Sequence, residues 1–173
     1  AAPRFVKSID SVFIARGDIL DIKSRDDFRK DSTNMIRAFV LFALHREFKR
    51  MSTNLLRALW HERSSIDTEF RNNPVNKKLF LDTVKLRYGP YHFLKNLNTW
   101  GILGRFLPVW RRIVGQMQHD LFHVYTVDQH TLGVVKYLRR LSHSSYAHEY
   151  PLCSQIMNDI EKPWRLTLAG LFH

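Results

Sequence analysis

Before Asp31 the apolar residues alternate with polar ones, and after it they recur every three or four positions. This change of period limits the fold more than any other feature of the chain. The early stretch SVFIARGDILDIKS carries two apolar runs, Val12–Ala15 and Ile19–Ile22, around Arg16-Gly17-Asp18. Gly17 supplies the positive φ of a tight hairpin turn, and Leu20 and Ile22 alternate with Asp21 as in a half-buried strand. Two strands alone are marginal in water, so the hairpin must pack on something else.

The rest reads as helices. From a cap at Asp31 or Ser32, the residues Ile36, Phe39, Val40, Ala43, Leu44 and Phe48 keep helical spacing. In STNLLRALWHE the residues Leu55, Leu56, Leu59 and Trp60 share a face. Asn73 caps a helix that opens on Pro74 and stops at Gly89; Pro90 and Gly101 repeat that grammar. Gly101, Gly104, Pro108 and Gly115 then mark a joint between two helical units. Thr126 and Gln129 have capping-box spacing, which starts a helix at Val127 with Asp128 in its first turn. On that helix His130, Val134, Leu138 and Leu141 share a face. Pro163 opens the last helix, where Leu166, Ala169, Gly170 and His173 align. The expected class is mainly α: a helical bundle with a short N-terminal β-hairpin.

Composition narrows the function classes. Hydrophobic residues make up 45% of the 173, and aromatics 13%, which excludes a disordered chain. The net charge of +11 raises nucleic acid, anionic lipid or an acidic partner. The excess is spread out, with no run of five or six like charges, and reads as solvated helix faces. A nucleic-acid-binding module without catalysis is the alternative function, disfavoured for that reason; a scaffold docking on an acidic neighbour is a third. The lone Cys153 forbids an intrachain disulfide and suits the cytoplasm. No apolar stretch is long enough for a membrane span. The start, AAPRFVKSID, has neither an initiator Met nor a signal-peptide core, so both ends are expected to be cut ends of a longer protein.

Motifs for phosphate loops, dinucleotide binding and serine nucleophiles are absent. Cys153 reads as a buried structural thiol. Asp18 and Asp21 flank the hairpin, Asp26 and Asp27 fall in a basic loop, and none forms a catalytic pair. Nine histidines remain. His45, His61, His92, His143 and His148 sit among charged, polar or turn residues and read as surface. His119 and His123 have the i, i+4 spacing that can present two imidazoles to a metal, but no carboxylate completes the motif. His130 and His173 are each the polar member of an apolar helix face. Taken alone, each is more often a hydrogen-bonded core residue than a ligand; taken together, they could meet across two packed helices.

The segment LPVWRRIVGQMQHDLFHVYTVDQHT resembles the opening of the hydrolase domain in bacterial PII-protein uridylyltransferases, the bifunctional uridylyltransferase/uridylyl-removing enzymes. NNPVNKKLFLDTVK, GILGRFLP, HEYPLCSQ and LAGLFH follow in the family's order, so the resemblance covers essentially the whole chain. It implies a parent that transfers UMP from UTP to the PII signalling protein. It also implies an HD-type domain that removes the UMP with a divalent metal (Mg or Mn), and downstream ACT domains that sense glutamine. Residues 1–107 would be the hairpin and helical region after the nucleotidyltransferase core, and 108–173 the joint and the start of the HD-type domain. His130 matches the first metal-binding His of that domain and His173 the His of its His-Asp dipeptide. The Asp partners would lie past His173 and the transferase motif before Ala1, so the chain alone would hold no complete catalytic set. His119-Asp120 is a literal His-Asp, yet it precedes His130 and does not fit the family order.

Overall fold

The computed structural model describes residues 5–87, 89–117 and 125–173. The chain divides into two compact units, 1–81 and 82–173. The division falls inside a helix, upstream of the joint expected at 101–115. The joint is not a break in packing, because Ile102, Leu103, Phe106 and Trp110 are all buried within the second unit.

In the first unit the hairpin is the centre of a larger sheet. Strands β1 (Val6–Ser8), β2 (Phe13–Arg16), β3 (Ile19–Ile22) and β4 (Arg50–Met51) lie in that order. The first three form an antiparallel meander, and β4 joins β3 in parallel at Ile19↔Arg50 and Leu20↔Met51. Gly17, at φ 61°, takes the first central position of the two-residue turn, where only glycine sits without strain. The neighbour that the hairpin needed is thus two further strands and the helices packed on them.

The helices of residues 25–85 are α1 (Arg25–Arg29), α2 (Asn34–Leu44), α3 (Thr53–Glu62), α4 (Thr68–Asn72) and α5 (Pro74–Lys85); α3 packs on β3, and α1 on α3. Asp26 and Asp27 do not lie in a loop. They form the first turn of α1, capped by the Ser24 hydroxyl accepting from the Asp27 amide. Phe28 of α1 meets Phe13 edge-on at 6.2 Å. Helix α2 ends at Leu44, which is half exposed, and Phe48 is buried from the turn beyond. Asp31 accepts from the Thr33 amide in the turn before α2 rather than capping the helix itself.

On α3, Leu55, Ala58 and Leu59 are buried, whereas Trp60 is 57% exposed beneath the Arg63 guanidinium at 3.3 Å. The ridge therefore runs through Ala58 and not Trp60. Helix α5 begins at Pro74 with Asn73 accepting from the Val75 amide, as expected. It stops at Lys85; Gly89, at φ 109°, instead precedes Pro90 at the start of the next helix.

Asp21 is the one strand carboxylate turned inward, 6% exposed. It accepts from Arg16 Nε at 2.8 Å, from its neighbour's amide at 2.8 Å and from the Ser52 hydroxyl. Burial works against its charge, but the bonds from Ser52 and Arg16 prevail and hold the carboxyl below its ordinary value.

The second unit is helical: α6 (Pro90–Thr99), α7 (Leu103–Phe106), α8 (Val127–Leu141), α9 (Pro151–Asp159) and α10 (Trp164–Leu171), with short 3-10 turns between them. The end of α6 is sealed by Gly101 and Ile102, whose amides reach back to Asn98 and Leu97. Helix α8 packs on both α6 and α10. Its most buried residues are Asp128, Thr131, Leu132 and Val135, while Val134 and Leu138 are partly covered by α10. Among the described residues no helix is long and apolar enough to cross a membrane.

Candidate functional site

Helix α8 starts at Val127, as its sequence implies, but not through a capping box. The Thr126 hydroxyl makes no bond to the helix amides and instead donates to the Asp128 carboxylate. Asp128, 4% exposed, is the hub of a polar cluster that sequence reading assigned only to the helix dipole. Its Oδ2 accepts from Asn98 Nδ2 at 2.8 Å and its Oδ1 from the Gly115 amide at 3.0 Å. Asn98 Oδ1 in turn accepts from the buried Trp110 indole at 2.7 Å. An indole N–H only donates and a carboxylate only accepts, so the two partners fix which end of the Asn98 amide is which. Burial opposes the Asp128 charge, and the bonds from Thr126, Asn98 and Gly115 outweigh it, so the carboxyl titrates below its ordinary value. The cluster ties α6, the joint and the first turn of α8 together two residues before His130.

From that turn His130 projects toward the end of α10. Its ring centroid lies 5.9 Å from that of His173, with the planes inclined at 44°. The two histidines singled out in the sequence thus come together across α8 and α10, although both are exposed rather than core residues. What lets the helices approach is Gly170. A Cβ there would lie 2.9 Å from Leu138 Cδ1 and 3.3 Å from Val134 Cγ1. A side chain larger than alanine would hold α10 off the apolar face of α8.

His173 Nδ1 lies 3.1 Å from the Gly170 carbonyl. A carbonyl only accepts, so Nδ1 carries the proton, and in the neutral ring the lone pair is on Nε2. This is the arrangement by which a backbone carbonyl orients a metal-binding imidazole. Two imidazoles fill two positions of a metal shell and no more. Among the described residues no group of three or more His, Cys, Asp or Glu side chains gathers as a metal site. The residues present therefore fit part of a divalent-ion site, the nitrogen part.

The other candidates separate. His119, Asp120 and His123 lie outside the described residues. His61, His92 and His148 are exposed, and His45 and His143 half-buried at helix ends or turns. Cys153 is exposed, not buried; α9 turns Ser154 and Met157 inward instead. Asp18, Asp26 and Asp27 stay with the sheet and α1, in the first unit.

Comparison with known proteins gives a consistent answer. Residues 13–106 match the family described as "Uridylyltransferase GlnD third domain". A bifunctional uridylyltransferase/uridylyl-removing enzyme of Bordetella avium is 49% identical over 167 residues, covering 96% of this chain and 20% of the relative. The enzyme of that name from Bordetella pertussis is 50% identical over 165 residues, covering 95% and 19%. That of Chromobacterium violaceum is 45% identical over 171 residues, covering 99% and 20%. The chain thus spans about a fifth of the length of the curated relatives it matches. No solved structure matches.

Proposed function

Because the chain belongs to the family of bifunctional uridylyltransferase/uridylyl-removing enzymes, we propose that it links the two activities of such an enzyme and supplies part of the removing site. In this reading residues 1–107 are the helical region that follows the nucleotidyltransferase core, and residues 108–173 begin an HD-type hydrolase domain. The whole protein works in the bacterial cytoplasm. It modifies the PII signalling protein with UMP from UTP, removes the UMP by hydrolysis, and answers to glutamine through ACT domains.

The observation that carries the reading is the meeting of His130 and His173 at 5.9 Å on two packed helices. A bound Mg²⁺ or Mn²⁺ would lower the pKa of its water and polarise the phosphoryl oxygens. His130 and His173 would hold it through nitrogen, with carboxylates from outside this chain completing the shell, since both ions prefer oxygen donors. The chain's own contribution is positional. The Asp128 cluster fixes the first turn of α8, Gly170 sets the spacing of α8 and α10, and the Gly170 carbonyl sets the His173 tautomer.

The test uses a chain extended to the length of its relatives. His130→Ala should abolish Mn²⁺-dependent release of UMP from uridylylated PII while leaving transfer of UMP intact. Full release by the variant would reduce His130 to a structural residue, and no release by the unaltered protein would remove the hydrolase assignment.

A further inference from the structure

A pocket of about 370 Å³ opens within the second unit, where the last turns of α5, α8 and α9 meet the first residues of α6 and α10. Its size is at the small end of the range for small-molecule sites. Neither His130 nor His173 lines it.

The lining is cationic. Lys85, Arg87 and Arg139 all face it, against a single carboxylate, Glu161. That carboxylate is 87% exposed and already pairs with Lys162 at 3.5 Å. Lys85 pairs with Asp82 at a long 3.9 Å. Arg139 Nε is buried and without a hydrogen-bond partner among the described residues, a costly state for a charged donor unless an acceptor comes to it.

The charge has two further settings. Part of it answers the carbonyl ends of α5 and α8, where cations are stabilised. The amide ends of α6 and α10, at Pro90 and Trp164, border the same pocket with the opposite sign.

One wall differs in kind. The Trp164 indole lines the pocket, with Lys85 Nζ 5.3 Å from its ring centre. A flat apolar wall beside three cations suits a ligand that is a planar ring at one end and a multiply charged anion at the other. A phosphomonoester carries close to two negative charges at neutral pH. Arg holds such a group through paired N–H donors. Stacking of a base on indole is tolerant of which base it is.

We propose that this pocket binds a nucleoside monophosphate, its phosphate between Lys85, Arg87 and Arg139 and its base against Trp164. The inference stands on the pocket and not on the hydrolase reading, so either can fail alone.

The experiment is direct titration of the 173-residue chain, followed by calorimetry and tryptophan fluorescence, with UMP, inorganic phosphate and uridine as separate ligands. UMP should bind at least about tenfold tighter than phosphate or uridine, because only it uses both halves of the site. Arg139→Gln and Trp164→Leu should each weaken UMP binding about tenfold. Lys85→Gln, at a half-exposed position, should weaken it in the same direction. His130→Ala should leave it unchanged. Phosphate binding as tightly as UMP would overturn the role of Trp164. Binding indifferent to Lys85→Gln and Arg139→Gln, or no binding of UMP at all, would overturn the site.

Discussion

Asn98 donates to Asp128 across thirty residues of sequence, at 2.8 Å, while its carbonyl oxygen receives the Trp110 indole at 2.7 Å. One amide therefore bridges a buried donor and a buried acceptor. Asn98→Leu would keep the volume, take from the Trp110 indole its Asn98 acceptor and strip Asp128 Oδ2 of its Asn98 bond. A buried unpaired group costs about 1–3 kcal/mol. The expected loss, about 2 kcal/mol, is measurable as a lowered urea midpoint with an unchanged slope. A change under about 0.5 kcal/mol would mean that the cluster is ornamental.

Acid should unfold the protein in two stages. His92 has a folded pKa below its ordinary 6.5, so the unfolded chain binds the proton more readily and stability falls as pH drops through that region. Asp21 and Asp128 have folded pKa values below 3.8. Their stabilisation is complete above the unfolded value and is lost as pH falls through the folded one. Thermal melts across the acid range should show both stages, and His92→Gln should remove the first and spare the second.

Gly170 sets the distance between α8 and α10. Alanine there gains roughly 0.5–1 kcal/mol of helix propensity against a contact that Leu138 can relieve by turning its terminal methyl, so Gly170→Ala should be near neutral. Gly170→Leu has no such escape and should cost about 1–3 kcal/mol, as overpacking does. It should also part the two imidazoles, visible as loss of cross-peaks between the His130 and His173 rings. Rings still in contact in the Leu variant would mean that something other than Gly170 holds the helices.

His130 is exposed, so its role should be separable from stability. His130→Gln is expected to shift unfolding free energy by no more than about 0.5 kcal/mol. A larger shift would show that the ring is part of the packing and would complicate any reading of lost activity.

What the sequence showed and concealed follows from period and length. Helices with a Pro start, α5 and α6, or a long apolar stripe, α8, were legible because several turns repeat one message. Strand β4 has two residues and α1 five, too short for any period to emerge, so the hairpin looked like an isolated pair. Trp60 and Ala58 exchange places because hydrophobicity alone ranks indole as core, whereas Arg63 covers one of its faces at the surface. His130 and His173 were legible as a pair on helix faces, but their exposure was not. Asp128 hid its function because an acidic residue in a first helical turn already has an adequate local explanation. Only the fold brings Asn98, Trp110 and Gly115 to it.

The parallel strand β4 has a consequence for the order of assembly. Strands β1, β2 and β3 are joined by tight turns and can pair as soon as they are made. Parallel partners need a crossover, and here it contains α1 and α2. Closing that loop costs chain entropy before any contact repays it. Until then Asp21 lacks the Ser52 hydroxyl, and Leu20 lacks the Ser52 amide that it receives at 2.8 Å in the finished sheet. In a refolding pulse of hydrogen exchange, Ser52 should gain protection after the meander does. The fourth strand then works as a latch, drawn shut only when the helices between have taken their places.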